Sequence, residues 1–239
     1  MAPRRAKKDT LRQVRAEAYR AVVRSAAERV FAEHGFAGAR VEQIAQAAGV
    51  SVGTIYRAYP GKKREIYRDL QVQRGTELIG RTQGVGIEAW RRRGDVLDGM
   101  LAGLGALAEY FMRHPDYLRI VLREEKAWTS GPSRQSAAQT VMWNEGMGGA
   151  QEAIRQGIDA GLLIDDAPEV MARTSAAMQQ AHLGYWLESG QRERSEQVVA
   201  RLQRQFLRAF CRPEVLAARL APFEPDAEQR RSDNMWSTA

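Results

Sequence analysis

Cysteine occurs once in the 239 residues, as Cys211, so no intrachain disulfide is available and the chain suits a reducing compartment. Histidine occurs three times, as His34, His114 and His182, and none of the three has HExxH or His-x-x-x-His spacing. No CxxC, Walker loop, GxGxxG or GxSxG is present either. With no nucleophile, base or metal constellation in view, catalytic residues, a bound metal and a cofactor are not expected, and the chain is not read as an enzyme. No apolar run approaches the ~20 residues of a membrane span. The basic start MAPRRAKKDTLRQVR is not followed by the apolar stretch of a secretory signal. A cytoplasmic location away from membranes is the expectation. Alternating strand patterns and internal repeats are missing as well, which leaves helical periodicity as the one organising signal and an all-α fold class.

The charge is unevenly spread. Residues 1–70 hold 15 Lys and Arg against 7 Asp and Glu, while the remainder holds 21 against 22. A net of +8 at the start and −1 beyond it therefore accounts for the overall +7. A basic excess confined to one small region is the footprint of a module that binds a polyanion. A membrane-surface helix would need large apolar residues opposite the cations, and the start of the chain lacks them.

Inside that region the stretch VEQIAQAAGVSVGTIYRAYPGKK, residues 41–63, reads as two short helices and a tight turn. Val41, Ile44, Ala45 and Ala48 make one small apolar face. Ala45 permits a close crossing, and Gly49 can take the left-handed conformation that ends a helix. Val50 plugs the corner, and Ser51 can cap the second helix by accepting a backbone N–H bond. Ile55 and Tyr59 then face inward, leaving Gly53, Thr54, Tyr56 and Arg57 outward. A glycine admits close approach of a phosphate, hydroxyls bond phosphate oxygens, and arginine bonds either a phosphate or a guanine edge.

Residues 20–70, above all FAEHGFAGARVEQIAQAAGVSVGTIYRAYPGKKREIY, resemble the DNA-binding domain of the TetR (tetracycline-repressor-like) family of transcriptional regulators. The resemblance covers about the first third of the chain. It implies a three-helix helix-turn-helix domain followed by a larger helical domain that binds an effector and dimerises. DNA contacts are then expected from Arg40, Ser51, Gly53, Thr54, Tyr56, Arg57 and Lys62. Two positions depart from the family pattern: Arg40 stands where Ser or Thr usually caps the first motif helix, and Gly61 replaces the usual Ser before the lysine. Such a protein would be a homodimer on a palindromic double-stranded operator, in the usual case a repressor released by a small molecule. A DNA-binding protein without effector control, architectural or constitutive, is the rival.

The expected division is a disordered basic arm over 1–9, the DNA-binding domain over 10–70, the effector-binding and dimerisation domain over 71–221, and a polar tail over 222–239. The arm's Arg4, Arg5, Lys7 and Lys8 suit either solubility or contact with DNA. A first helix from Thr10 should stop at Gly35, with Phe36 folding back onto the core. A helix from Lys62 should reach about Thr82, with Gly84 and Gly86 loosening the chain before a helical stretch over 87–114. Gly99 and Gly103 within that stretch suggest close helix packing. Pro115 and Asp116 restart a helix that carries on to Trp128 and breaks at residues 130–132. Three more helical stretches follow, over 133–161, from about 168 to 189, and from Ser195.

Trp90, Tyr110, Met142, Trp143, Met147, Met178, His182 and Tyr185 are the residues expected around an effector. Aromatic and thioether groups suit a largely apolar or planar ligand. The same residues at helical spacing equally suit a packed core. Leu202, Phe206 and Phe210 repeat every four positions on a late helix, the element that the family uses for pairing, and are the expected dimer contacts.

Overall fold

The computed structural model describes residues 3–123 and 137–223, with side chains from residue 14 and, in the second stretch, from residue 143. Helices account for the architecture: α1 (Pro3–Gly38), α2 (Val41–Ala48), α3 (Val52–Ala58), α4 (Lys62–Arg93), α5 (Val96–Arg113), α6 (Pro115–Arg123), α7 (Ala137–Asp159), α8 (Pro168–Glu188), α9 (Ser195–Phe210) and α10 (Pro213–Leu220). A 3-10 turn, Ala221–Phe223, follows. Among the described residues there is no strand, only an isolated bridge between Leu163 and Cys211. The all-α expectation holds. No described helix is long and apolar enough to cross a membrane.

The chain divides into two compact units, residues 1–81 with 110–146, and residues 82–109 with 147–239. In the first, Val23, Ala27 and Phe31 of α1, Ile44 of α2, Ile55 of α3 and Ile66 of α4 form one buried cluster. Ile120 of α6 joins it. The packing of α6 on α1 was not legible from the sequence, because nothing local in PDYLRIVLR names its partner. Arg123 at the end of α6 donates to the carbonyls of Phe31 and Glu33, the last turn of α1 before its kink. That kink is at Gly35 (φ 68), where the sequence predicts a stop. Phe36 then turns back against Phe31 and Tyr67, with ring centroids 6.0 and 4.9 Å apart. Deeper in, Glu28 of α1 accepts two bonds from Arg74 of α4, at 2.8 and 2.9 Å, and fixes one helix against the other.

The second unit is built around Leu97, Leu101, Ile154, Met171, Phe206 and Leu207. Here two expectations need correction. Helix α4 does not loosen at Gly84 and Gly86 but continues to Arg93, and the break comes at Gly94 (φ 74). The reason lies in α5: a Cβ on Gly86 would stand 3.0 Å from the Gly99 carbonyl, and one on Gly99 would stand 2.9 Å from the Gly86 carbonyl. These glycines mark a close helix crossing, not a hinge, and the contact offsets their poor helix propensity. Leu202, Phe206 and Phe210 are 3%, 3% and 5% exposed within the single chain, so the stripe packs on its own subunit and is not a surface for a partner. Amphipathicity showed that the face is buried; it could not show against what.

At the start of the chain, α1 begins at Pro3, so residues 3–9 are helical where an unstructured arm is expected. Residues 224–239, most of the expected tail, and the expected break at 130–132 lie outside the described residues.

Candidate nucleic-acid interface

The α2–turn–α3 motif is fixed by its own caps. Arg40 adopts an extended conformation before α2, and its N–H is satisfied by Gln43 Oε1 at 2.8 Å. The helix therefore starts without a Ser or Thr cap, and the Arg40 side chain is left exposed. Gly49 (φ 68) closes α2 with its N–H on the Gln46 carbonyl, and Val50 N–H reaches Ala45 O. This left-handed geometry is the one that favours glycine. Ser51 caps α3 by accepting the Thr54 N–H at 3.1 Å, and the two hydroxyls lie 2.7 Å apart. Thr54 is thus oriented by its neighbour before any ligand arrives.

The outward face follows from these caps. Gly53 is exposed, and a Cβ there would meet only Ser51 Oγ, at 3.9 Å. The chain itself has room for a side chain at this position, so nothing within it requires a glycine there. Tyr56 is exposed, with Lys62 Nζ 5.8 Å from its ring centre. Lys62 has φ 55, an uncommon backbone for a residue other than glycine, and its side chain is exposed at the start of α4. The Gly61 N–H before it donates to Glu65 Oε2 at 2.7 Å, so the backbone donor just ahead of α4 is satisfied from within the helix. Arg57 is exposed in the last turn of α3. The structure therefore brings Gly53, Tyr56, Arg57 and Lys62 to the surface of one motif, with Thr54 half-buried among them.

Not every cation in this unit is free for a ligand. Lys63 donates to the carbonyls of Ala37 and Ala39, at 3.2 and 2.8 Å, and stands over the Phe36 ring. Arg29 bonds the Ala47 carbonyl at the end of α2, Arg20 bonds that of Ala58 at the end of α3, and Arg24 pairs with Glu17 and Asp69. Composition counts these four with the rest; only the fold shows that they hold helices together. Arg20 and Arg24 are half-buried on α1 and Lys63 is the second of an adjacent pair, differences that charge counting ignores.

The residues expected around an effector are divided between the two units, with Tyr110, Met142 and Trp143 in the first and the rest in the second. Met147 and Met178 pack against the second unit's core. Trp90 and Tyr185 are 44% and 59% exposed. Tyr110 is buried in the first unit, its hydroxyl 2.9 Å from Glu77 Oε2 and 3.1 Å from the Arg74 carbonyl, and burial first, then Glu77, holds its phenol well above the usual range. His182 of α8 is held between Arg201 and Gln205 of α9: Arg201 Nε donates to its Nδ1 at 3.0 Å, and its Nε2 meets Gln205 Oε1. Trp143 is half-buried in α7, and the Met142 side chain lies outside the described ones. Two concavities of the second unit are a cleft of about 790 Å³ lined by Val85, Ala89, Leu101, Gln203 and Phe223 together with Arg92, Arg93 and Arg219, and one of about 470 Å³ lined by Trp90, Val96, Gln156 and Leu162. The exposed side of α8 carries Val170, Thr174, Ala177, Ala181 and Tyr185 at helical spacing. No group of three or more His, Cys, Asp or Glu that could hold a metal ion is present among the described residues.

No curated protein matches the sequence. The family model for bacterial regulatory proteins of the tetR family matches residues 23–70. Several solved structures share the fold. One is a candidate tetR family transcription regulator from Shewanella sp. PV-4, at 20% identity and TM-score 0.64 over 81% of this chain and 98% of that one. Another is the fatty acid degradation regulator FadR from Bacillus halodurans, at 18% identity and TM-score 0.62 over 79% of this chain and 94% of that one. A tetR-family transcriptional regulator from Streptomyces coelicolor aligns over 92% of this chain and 97% of its own, at 18% identity and TM-score 0.57. Residues 23–70 therefore carry the pattern of the tetR-family regulatory proteins, and the chain shares the fold of solved structures described as regulators of that family.

Proposed function

We propose that this protein is a homodimeric repressor that binds a palindromic operator through α3 and leaves it when a small molecule binds. The observation that carries the reading is the outward set Gly53, Tyr56 and Arg57 on α3, which Ser51 caps, with Lys62 at the start of α4 and a bare-backbone gap at Gly53. Arg57 would read a base edge, while Ser51, Thr54, Tyr56 and Lys62 would hold phosphates and Arg40 would flank them. One such helix covers only a few base pairs, so specificity asks for two, presented by two-fold symmetry. The DNA-binding domain is assigned to residues 10–70, ligand binding and pairing to 71–221, and the site of action to the cytoplasm. For pairing, the exposed α8 stripe from Val170 to Tyr185 fits a second copy, since each subunit would offer the same small apolar face.

For the effector, the cleft near Leu101 and Phe223 has the size and mixed lining of a small-molecule site. Release would follow if the ligand favoured a state in which α4 and α6 carry α3 away from its half-site. α6 belongs in this route because Ile120 and Arg123 grip α1 directly. A tenfold loss of operator affinity needs about 1.4 kcal/mol of coupling, and DNA must weaken the ligand by the same factor. The test is a screen of small molecules for release of bound DNA, followed by titration of each hit with and without operator. Reciprocal weakening supports effector control; equal affinity in both titrations removes it and leaves a constitutive regulator.

A further inference from the structure

Tyr59 follows the last residue of α3, and its ring is completely buried beneath that helix. Its hydroxyl donates to Asp69 Oδ2 of α4 at 2.8 Å, and the same oxygen accepts Arg24 Nη1 of α1 at 3.1 Å. Arg24 in turn donates from Nη2 to Glu17 Oε1 at 2.7 Å. Arg20, one turn earlier on α1, lies over the Tyr59 ring with its guanidinium carbon 4.9 Å from the centroid. It also donates to the Ala58 carbonyl at 3.1 Å. Three helices thus meet at the end of α3 through one ring, one carboxylate and two guanidiniums.

A phenylalanine would fill the same space, so packing does not require the hydroxyl. A buried hydroxyl costs free energy unless it is bonded, and a bond to an ionised carboxylate is directional and stronger than a neutral one. What the hydroxyl adds is orientation. Arg57 and Tyr56 lie within three residues of this anchor, so any rotation of α3 is passed directly to the side chains that face outward. A rotation of about 20° moves the surface of a helix by about 2 Å, more than a hydrogen bond tolerates.

We propose that Tyr59, Asp69 and Arg20 are positioning residues for DNA reading. They set the angle of α3, so that discrimination between sequences depends on them while attraction to the phosphate backbone does not. Arg20 and Arg24 lie within the basic region, yet they are structural cations without a phosphate contact. This rests on the DNA-binding reading above and goes beyond it by separating the residues that aim α3 from those that touch DNA.

The test uses the full chain carrying Tyr59→Phe, Asp69→Asn or Arg20→Gln, with Lys62→Ala as the phosphate-contact control. Affinity for a selected sequence and for a scrambled one is measured over a range of salt, alongside thermal unfolding. For the three positioning variants the ratio of selected to scrambled affinity should fall about five- to tenfold, the loss of one oriented hydrogen bond. Their salt slope should stay that of the parent, while Lys62→Ala lowers the slope by about 0.9 and keeps the ratio. Tyr59→Phe is nearly isosteric and tests the claim even if Arg20→Gln or Asp69→Asn fails to fold. An unchanged ratio in Tyr59→Phe, with or without a lower unfolding temperature, overturns the proposal, and so does a slope loss near one unit in Arg20→Gln. Failure of the parent protein to prefer any sequence would remove the DNA-binding reading itself, a different outcome from variants that discriminate as the parent does.

Discussion

Replacing Phe206 by Ala separates core from interface on α9. Phe206 is 3% exposed, its ring lies 5.0 Å from that of Phe210, and it belongs to the cluster with Leu97, Leu101 and Leu207. Truncating a buried Phe removes its transfer energy and leaves a cavity, at a cost of about 3–5 kcal/mol. For a chain of this size each kcal/mol lowers the unfolding midpoint by about 2–4 °C, so a fall of about 6–20 °C is expected. Tyr185→Ala is the comparison. That side chain is 59% exposed on α8, and an exposed truncation changes the stability of the single chain by less than about 0.5 kcal/mol. If α8 pairs with a second copy, the same change should raise the dimer dissociation constant about tenfold or more, as loss of an interface Tyr often does. Unfolding of a dimer depends on concentration, so melts are compared where both proteins are fully paired, and sedimentation velocity is run over a dilution series. Dissociation of Phe206→Ala into monomers that melt like the parent would refute this assignment and return Phe206 to the subunit boundary. An unfolded Tyr185→Ala chain would refute the placement of α8.

Gly84, clear of the α4–α5 crossing, and Gly99, within it, should respond in opposite senses to the same change. Gly84→Ala meets nothing within 4 Å and should stabilise the chain by about 0.5–1 kcal/mol in urea melts, whereas Gly99→Ala pushes a Cβ into a backbone carbonyl and should cost on the order of 1 kcal/mol net. Equal stabilisation by both would show that the helices are not in close contact there. Cys211 is buried, and burial pushes its thiol up to about 11. At pH 8 its thiolate fraction, and hence its alkylation by iodoacetamide, should be about a hundredfold below that of an exposed cysteine, with full reactivity on unfolding. Rapid labelling of the folded protein would contradict this.

The helix-turn-helix was legible in the sequence because its determinants are local. Gly49, Ser51 and the apolar set Val41, Ile44, Ala45 and Ile55 specify caps and facing sides within fifteen residues, and each stands as the pattern predicts. What failed was whatever depended on a distant neighbour. Gly86 read as a breaker because its compensation, Gly99, lies on another helix, and Gly84 is carried inside α4 with open space beside it. Leu202, Phe206 and Phe210 read as an interface because an apolar stripe does not say whose core it enters. Lys62 and Lys63 are adjacent and alike, yet one is outward and the other is spent on the Ala37 and Ala39 carbonyls. Aromatic and Met residues at helical spacing did not separate a cavity from a core, and the fold dispersed them: Met147 and Met178 inward, Trp90 and Tyr185 outward.

The central claim is that two copies of α3 read a symmetric DNA site with Arg57. Its most direct measurement is selection of bound duplexes from a random pool by the full-length protein, repeated with Arg57→Ala. The expected result is an inverted repeat whose half-sites lie about 34–36 Å apart, or 10–10.5 base pairs, with one position in each half relaxed in the variant. Enrichment of no sequence, or of a site without two-fold symmetry, would contradict it, and an unchanged motif with Arg57→Ala would reduce Arg57 to a backbone contact.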